Sequence, residues 1–319
     1  TSTTQVFQGT MNLQGTSGNL LLLRSSASGT QSQIDPQGGR TIGYLDVKDN
    51  YNINATIIDV TGANITDSGN NTGWGFNTAP NAPGSLGPAS FVNGSWTSST
   101  APTLTFNLTD PNASDTLKYN IEVSTSSAFS AFTIDYTSAT SSQGATSFTV
   151  GQATSGGSYT VGTSSQTLPD FSEYYWQVKT IDNSNASSSY STAASGSIAF
   201  KVDATPPASS TISFSGITTN SITVNVANAT DTTSGLSTTP YLFENLTLST
   251  NSGATSTTSW TSTGLTAATT YNFQVTITDT AGNSTTTASS TTTSSSGGGD
   301  TGGGDVGVPG GGGGTGGGG

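Results

Sequence analysis

The stretch from Leu265 to Asn283 constrains the fold of this chain more than any other. Its apolar residues occupy alternate positions: Tyr271, Phe273, Val275 and Ile277. A period of two is typical of a β-strand with one face on a core and the other in water. The pattern also occurs 97 residues upstream, where Leu168, Tyr174, Trp176, Val178 and Asp182 correspond to Leu265, Tyr271, Phe273, Val275 and Asp279. A repeat of domain length predicts two copies of one module.

The composition favours β-structure. Only 30% of the residues are hydrophobic and 8% are charged, whereas Ser and Thr together make up roughly a third. Disordered chains usually combine low hydrophobicity with high charge, which this chain lacks. Because the branched Cβ of Thr suits an extended backbone, Thr is well placed on the solvent face of a strand. We therefore predict an all-β protein.

The charge and residue types exclude several classes of function. A net charge of −12 with only six Lys and Arg argues against nucleic acid and against anionic membrane surfaces as partners. No apolar run is long enough for a membrane span. Without Cys there are no disulfides, and an opening at Thr1 without a signal-like segment predicts a processed start. A weakly charged β-protein rich in Ser, Thr, Asn and Gly predicts an extracellular location at the cell surface.

Residues 1–78 differ from the rest, because short apolar runs recur there at intervals of roughly 15 to 22 residues. Such spacing suits the coils of a parallel β-helix, and the unbroken run Leu20–Leu23 predicts a strand buried on both faces. The segments NLLLLRSSASGTQSQIDPQGGRTIGYLDVKDN and DSGNNTGWGF resemble the last coils of right-handed β-helices in large bacterial surface proteins. A small independent β-sandwich is the alternative. A short stack of coils needs a cover on its open edge: more coils, the following domain or a neighbouring subunit.

Proline and glycine mark the remaining boundaries. We predict a Pro/Gly linker at 79–87, a first sandwich at 88–202, a Pro linker at 203–207, a second sandwich at 208–287, and a Ser/Thr- and Gly-rich tail at 288–319. The 45 or so residues between Val123 and Leu168 leave room for an extra hairpin or a long loop in the first sandwich.

Both sandwiches resemble tandem fibronectin type III domains of a bacterial or archaeal cell-surface protein. The spacing from Leu168 to Tyr174 and from Leu265 to Tyr271 is similar to the tyrosine corner of that family, in which the hydroxyl hydrogen-bonds nearby backbone. The resemblance implies that Trp176 and Phe273 are core residues rather than a ligand platform.

Catalytic residues are scarce. The chain has no His and no Cys, and its three Glu are Glu122, Glu173 and Glu244. No spacing singles out a pair of carboxylates for glycoside hydrolysis. We therefore predict a protein that is not an enzyme, with no catalytic residues and no cofactor except possible calcium.

Calcium is the better chemical hypothesis, because hard cations bind several oxygen ligands. The loops after the two repeated strands supply Asp182, Asn183 and Asn185, and then Asp279 and Asn283, with Asp203 and Asp231 as further contributors. The alternative is that these side chains hydrogen-bond their own backbone and make turns.

Ten Asn-x-Ser/Thr sequences are glycosylation candidates, a number close to what this composition gives by chance. They are Asn54, Asn64, Asn70, Asn93, Asn107, Asn112, Asn185, Asn228, Asn245 and Asn283.

The leading functional hypothesis is a structural subunit of an extracellular filament or stalk, which self-associates into a homopolymer by exchange of a strand or the tail. The alternative is a fragment of a large cell-surface adhesin that binds glycans or another surface. That reading predicts tryptophans on the surface among Trp74, Trp96 and Trp260. A third hypothesis is an accessory part of a carbohydrate-active enzyme whose catalytic domain lies outside this sequence.

Overall fold

A computed structural model describes residues 4–61 and 64–297. These residues form 28 strands and two short 3-10 helices, Ala89–Phe91 and Ala193–Gly196, which confirms the predicted all-β class. Gly298–Gly319, most of the predicted tail, lie outside the described residues.

The N-terminal module contains eleven short strands. They are β1 Thr4–Phe7, β2 Met11–Gln14, β3 Leu21–Arg24, β4 Ser32–Pro36, β5 Arg40–Gly43, β6 Leu45–Lys48, β7 Asn50–Asn52, β8 Ile58–Asp59, β9 Ile65–Asp67, β10 Asn71–Thr72 and β11 Trp74–Gly75.

These strands pair in parallel and recur in the same order along the chain. One sheet runs β1-β4-β7-β10 and another β3-β6-β9, while β2 pairs β5 and β8 pairs β11. In the second of these sheets Leu21 lies beside Leu45, which lies beside Ile65. Parallel strands stacked in register with one turn of chain between them form successive coils, not an antiparallel sandwich.

The coils enclose a small core. Met11, Ile34, Ile58 and Val60 are buried there, with Trp74 packed against them. The interior also holds asparagines of β7: Asn50 is fully buried, donates to Ser32 Oγ at 3.1 Å and accepts from Trp74 Nε1 at 2.9 Å. The buried Asn50 side chain is thus hydrogen-bonded through both its nitrogen and its oxygen, as buried polar groups require.

The first coil lies at one end of the stack. Within the described residues, β1, β2 and β3 each pair on one side only. Leu20, Leu21 and Leu22 are 41%, 39% and 62% exposed, so the expectation of a strand buried on both faces is wrong. The reason is positional, because no coil among the described residues covers β3 on its outer side.

The first sandwich contains ten strands. They are β12 Gly84–Gly87, β13 Ser95–Thr97, β14 Thr103–Leu108, β15 Leu117–Ser124, β16 Ile134–Thr137, β17 Gly144–Thr149, β18 Ser158–Val161, β19 Ser172–Asp182, β20 Ser191–Thr192 and β21 Phe200–Val202.

One sheet of this sandwich runs β12-β14-β17 and the other β13-β21-β19-β15-β16-β18, with β20 beside β19. Part of the predicted linker 79–87 is therefore wrong: Gly84–Gly87 pair antiparallel with β14 as an edge strand, a position that tolerates a Gly-rich sequence. The long interval between Val123 and Leu168 holds β16, β17 and β18 rather than a loop.

The second sandwich contains seven strands. They are β22 Ile212–Ser215, β23 Ser221–Val226, β24 Leu236–Asn245, β25 Thr250–Thr255, β26 Ser259–Thr263, β27 Thr270–Asp279 and β28 Ser284–Thr292.

Its sheets run β22-β23-β26 and β25-β24-β27-β28. The predicted tail from residue 288 begins too early, because β28 continues to Thr292 beside β27. A run of Ser and Thr can form an edge strand, since its branched residues suit the pleated backbone and little burial is needed.

The two repeated strands, β19 and β27, are central in their sheets. Tyr174 and Trp176 in β19 are fully buried, and Tyr271 and Phe273 in β27 are 3% and 0% exposed. Alternate positions point outward, which gives the period of two seen in the sequence.

The chain divides into two compact units. The first contains the N-terminal module and the first sandwich up to Pro207, together with the loops Thr230–Ser237 and Thr278–Ser284. The second contains the remaining described residues of the second sandwich. Both acidic clusters described below lie in the first unit.

Candidate functional site

Three carboxylates meet at the end of β19. One oxygen each of Asp110, Asp115 and Asp182 lies within 4.8 Å of the others. The three residues, here called the first acidic cluster, are 7%, 4% and 0% exposed. The only ion pair among residues 4–61 and 64–297 joins Arg24 to Asp46, so no Lys or Arg neutralises this cluster.

Strand register brings these carboxylates together. Strands β15 and β19 are antiparallel, with Leu117 at the start of β15 opposite Asp182 at the end of β19. The loop before β15, which carries Asp110 and Asp115, therefore lies at the same edge of the sheet as Asp182. In that loop the Asp115 N–H donates to the Asn112 carbonyl at 3.0 Å, which closes a turn between the two aspartates.

Asp182 is held by hydrogen bonds. Its Oδ1 accepts from the backbone N–H groups of Ser184 at 2.9 Å and Ala186 at 2.8 Å, and its Oδ2 accepts from Asn77 Nδ2 at 2.8 Å. This is the turn-making role that was the alternative to calcium binding. It accounts for Asp182 but not for its two neighbours.

Asp110 and Asp115 each keep a buried oxygen without a partner. Oδ2 of each carboxyl is enclosed and makes no hydrogen bond, whereas Asp110 Oδ1 accepts from the Asn112 N–H at 2.7 Å. Burial raises the pKa of both carboxyls, and the Asp182 charge raises them further. For Asp115 the charges of Asp110 and Asp59 add to this rise in pKa. A buried oxygen without a partner is costly, so these two groups need an explanation.

A polar groove opens beside the cluster. It has a volume of about 520 Å³, and its lining includes Asn77, Asn183 and Ser184. Oδ1 of Asn77 is also buried without a partner. Asn77, which donates to Asp182, is therefore shared by the groove and the cluster.

A second acidic cluster lies at the end of β27 and consists of Asp203, Asp231 and Asp279, again with oxygens within 4.8 Å of one another. Asp279 Oδ1 accepts from the N–H groups of Gly282 at 2.7 Å and Asn283 at 2.8 Å, and Oδ2 accepts from Asn283 Nδ2 at 2.8 Å.

Its other two carboxylates are also engaged. Asp203 accepts from the N–H groups of Thr205 and Ser234, and Asp231 from those of Thr233 and Gly235. No carboxylate oxygen of this cluster is among the buried unpartnered atoms of the described residues. Hydrogen bonding to backbone, therefore, explains the second cluster without an ion.

The predicted calcium ligands thus divide into two groups. Asp182 and Asp279 each join an acidic cluster, and so do Asp203 and Asp231. Asn183 and Asn185 are exposed; the Asn183 amide opposes the rise in the pKa of Asp115, whereas Asn185 donates its N–H to the Asp182 carbonyl. Calcium itself stays a prediction.

Sequence reasoning missed Asp110 and Asp115. The sequence feature that could have identified them is the loop Asp110-x-Asn112-x-x-Asp115, which directly precedes an alternating strand.

Both tyrosine corners close onto backbone, with opposite polarity. The Tyr174 hydroxyl donates to the Pro169 carbonyl at 3.0 Å, whereas the Tyr271 hydroxyl accepts from the Thr266 N–H at 2.8 Å. The difference follows from sequence, because proline has no N–H to donate.

The glycosylation candidates occupy different environments. Asn245 is fully buried and its Nδ2 donates to Ser262 Oγ at 3.1 Å, so it is not open to modification in the folded chain and that candidate is wrong. The Nδ2 of Asn283 is also engaged, with Asp203 O and Asp279 Oδ2. Five candidates are exposed: Asn64, Asn70, Asn93, Asn185 and Asn228. The remaining three are half-buried: Asn54, Asn107 and Asn112.

The tryptophans expected on the surface of an adhesin are half-buried. Trp74 stacks on Phe76 at a centroid distance of 6.0 Å, and the Lys201 ammonium lies 5.1 Å from the ring of Trp96. Trp260 is half-buried in β26. No open aromatic platform is formed by these three side chains.

Comparison with known proteins supports the sandwich architecture. Residues 90–200 match the family described as "Rha78A-like, N-terminal immunoglobulin domain". No curated protein matches the chain significantly. Similar solved structures include the chicken CNTN1 FN1-FN3 domains, at 16% identity and a TM-score of 0.36, covering 69% of this chain and 70% of that one.

Domains A168-A170 from titin are similar at 12% identity and a TM-score of 0.42, covering 70% of this chain and 69% of theirs. The described residues contain no helix long and apolar enough to cross a bilayer. The family match thus covers the first sandwich, and both sandwiches have two facing sheets of largely antiparallel strands.

Proposed function

We propose that this chain is a non-enzymatic structural subunit of an extracellular surface filament or stalk, and that neighbouring copies join through strand or tail exchange. Sandwiches of this kind suggest structural or adhesion modules. The observation that carries the proposal is the first coil, where β1, β2 and β3 each have one unpaired edge within the described residues.

The exposed leucines support this proposal. Leu20, Leu21 and Leu22 are consecutive exposed leucines at this end of the stack, with Leu21 and Leu22 on opposite faces of β3. Isolated exposed apolar residues are ordinary, but a run of them beside a free strand edge is a template for pairing with another chain. A strand from a neighbouring copy satisfies the backbone groups of this edge and covers the leucines together.

The test is assembly of the full 319-residue chain, followed by light scattering and negative-stain electron microscopy. We expect filaments from the unaltered chain and monomers from the double variant Leu21→Lys and Leu22→Lys, because two buried ammonium groups oppose docking of a strand. The matched control is Leu246→Lys with Leu248→Lys, two leucines of similar exposure in the second sandwich, which should assemble normally.

A variant lacking residues 298–319 separates the two modes of exchange. Loss of filaments in this variant alone assigns assembly to the tail, and loss in the leucine variant alone assigns it to the first coil. An unaltered chain that stays monomeric at all concentrations, or polymers unchanged in both variants, contradicts the proposal.

A further inference from the structure

The first acidic cluster brings three carboxyl groups together where little of their surface is exposed. Its members are nearly fully buried, and no cation is paired with them. Placing like charges together in a low-dielectric site is unfavourable, so an isolated cluster of this kind either binds protons or binds a cation.

Two unpartnered oxygens show where a ligand belongs. Oδ2 of Asp110 and Oδ2 of Asp115 are enclosed without a hydrogen-bond donor. A carboxylate in a turn normally has its oxygens occupied by backbone N–H groups, as in Asp182 and Asp279. The Oδ2 atoms of Asp110 and Asp115 accept no such bond from a backbone N–H group.

We infer that Asp110, Asp115 and Asp182 form a buried Ca²⁺ site, and that Asn77 supplies a fourth ligand. The Nδ2 of Asn77 donates to Asp182 Oδ2 at 2.8 Å and its Oδ1 is buried without a partner, so a rotation of the amide turns an oxygen toward the ion. The spacing fits the ion: Ca–O bonds of about 2.3–2.6 Å allow two ligand oxygens on one ion to lie up to about 5 Å apart. The carboxylate oxygens lie within 4.8 Å of one another. The inference does not depend on filament assembly.

Calcium fits this site better than magnesium. Mg²⁺ requires near-octahedral geometry and usually keeps several waters, whereas Ca²⁺ accepts six to eight oxygens in flexible geometry. A site supplied by three carboxylates and a side-chain amide, with little exposed area, leaves small room for a hydrated ion.

The site also has a mechanical consequence within the first unit. Asn77 follows the last strand of the N-terminal module by two residues, while Asp110 and Asp115 belong to a loop of the first sandwich. An ion bound by all of them ties the exit of the coils to the sandwich. Because the ion binds the folded unit and not the unfolded chain, its binding free energy adds to the free energy of unfolding of this unit.

The experiment titrates the full chain, stripped with EGTA, with CaCl₂ in a calorimeter and follows thermal unfolding in parallel. We expect a tight site that prefers Ca²⁺ to Mg²⁺ by at least about tenfold. At a calcium concentration 100-fold above Kd, the unfolding temperature of the unit should rise by about 5–10 °C.

The variants Asp115→Asn and Asp110→Asn should each lose this site, with affinity reduced at least about a hundredfold. In EGTA both should unfold at a higher temperature than the unaltered chain, because one of three repelling charges is gone. Asp231→Asn in the second cluster and Glu173→Gln, an exposed carboxylate in β19, are matched controls that should keep the site.

Opposite changes in calcium and in EGTA separate ligation from a merely structural role. Unaltered affinity in both cluster variants, or no calcium binding by the unaltered chain, overturns the inference. If either cluster variant fails to fold in EGTA, the premise of mutual repulsion is wrong and the inference fails with it.

Discussion

The two repeated strands carry matching residues, but the clusters at their ends are built differently. β19 ends at Asp182 and β27 at Asp279, and each aspartate closes its following turn with two backbone N–H bonds and one asparagine amide bond. The difference lies in the neighbours. Asp203 and Asp231 are bonded to backbone, whereas Asp110 and Asp115 keep unpartnered buried oxygens.

The difference shows that three neighbouring carboxylates do not by themselves indicate a cation-binding site. Both clusters contain three carboxylates within the same distance, and neither is paired with a cation among the described residues. Hydrogen-bond donors satisfy the second cluster, so its charges have a structural use. The first cluster lacks donors for two of its buried oxygens, and a cation is the partner that we propose for it.

Truncating the strand-end aspartates should give the largest effect. Asp182→Ala and Asp279→Ala each remove three hydrogen bonds to a carboxylate, so each should lower the free energy of unfolding of the first unit by about 2–4 kcal/mol. Urea unfolding in EGTA should show similar losses. In millimolar calcium the loss of unfolding free energy should become larger for Asp182→Ala and stay the same for Asp279→Ala. An equal increase in both variants would contradict the claim that only the first cluster binds calcium.

The pH dependence of calcium-free stability should give a smaller effect. The pKa of Asp110 and of Asp115 is raised in the folded chain by burial and by the carboxylates of Asp182 and, for Asp115, also Asp110 and Asp59. The folded state therefore binds more protons than the unfolded state at these groups. Their stability contribution is full below the unfolded pKa and is lost as pH rises through the folded pKa.

In EGTA the unfolding temperature of Asp115→Asn should thus exceed that of the unaltered chain at pH 7, and the gap should close toward pH 4. Other carboxyls act in the opposite direction at lower pH, because hydrogen bonds from Asn54 and Asn70 hold the pKa of Asp35 and Asp49 below the usual value. Measuring the difference between the two chains removes that background. A gap that is constant with pH contradicts the raised pKa values.

The tyrosine corners should give the smallest effect. Tyr174→Phe leaves the Pro169 carbonyl without its donor, and Tyr271→Phe leaves the Thr266 N–H without its acceptor. Each should cost about 1 kcal/mol in urea unfolding, since Pro169 and Thr266 are exposed and water replaces part of the bond. Neither loss should change with calcium, and a calcium-dependent loss for Tyr174→Phe argues against a purely structural corner.

Features that depend on local periodicity can be predicted from the sequence. Alternation identifies β19 and β27, and the same periodicity places Asp182 and Asp279 directly after them. Asp110 and Asp115 lie about 70 residues before Asp182, and their closeness depends on the pairing of β15 with β19. Such a non-local contact is fixed by register, which a period of two does not specify.

The exposed leucines illustrate a second limit. An apolar run predicts burial wherever a neighbour exists, but Leu20, Leu21 and Leu22 lie in the first coil, where the described chain supplies no outer neighbour. Sequence pattern describes what a strand can pack against, and architecture decides whether that partner is present.

The most direct test of the account is a crystal structure of the full chain grown in calcium, with anomalous scattering used to locate ions. The account predicts an ion bonded at about 2.3–2.6 Å to oxygens of Asp110, Asp115 and Asp182, and no ion among Asp203, Asp231 and Asp279. An empty first cluster with its carboxyls unmoved, or calcium at the second cluster alone, would contradict it.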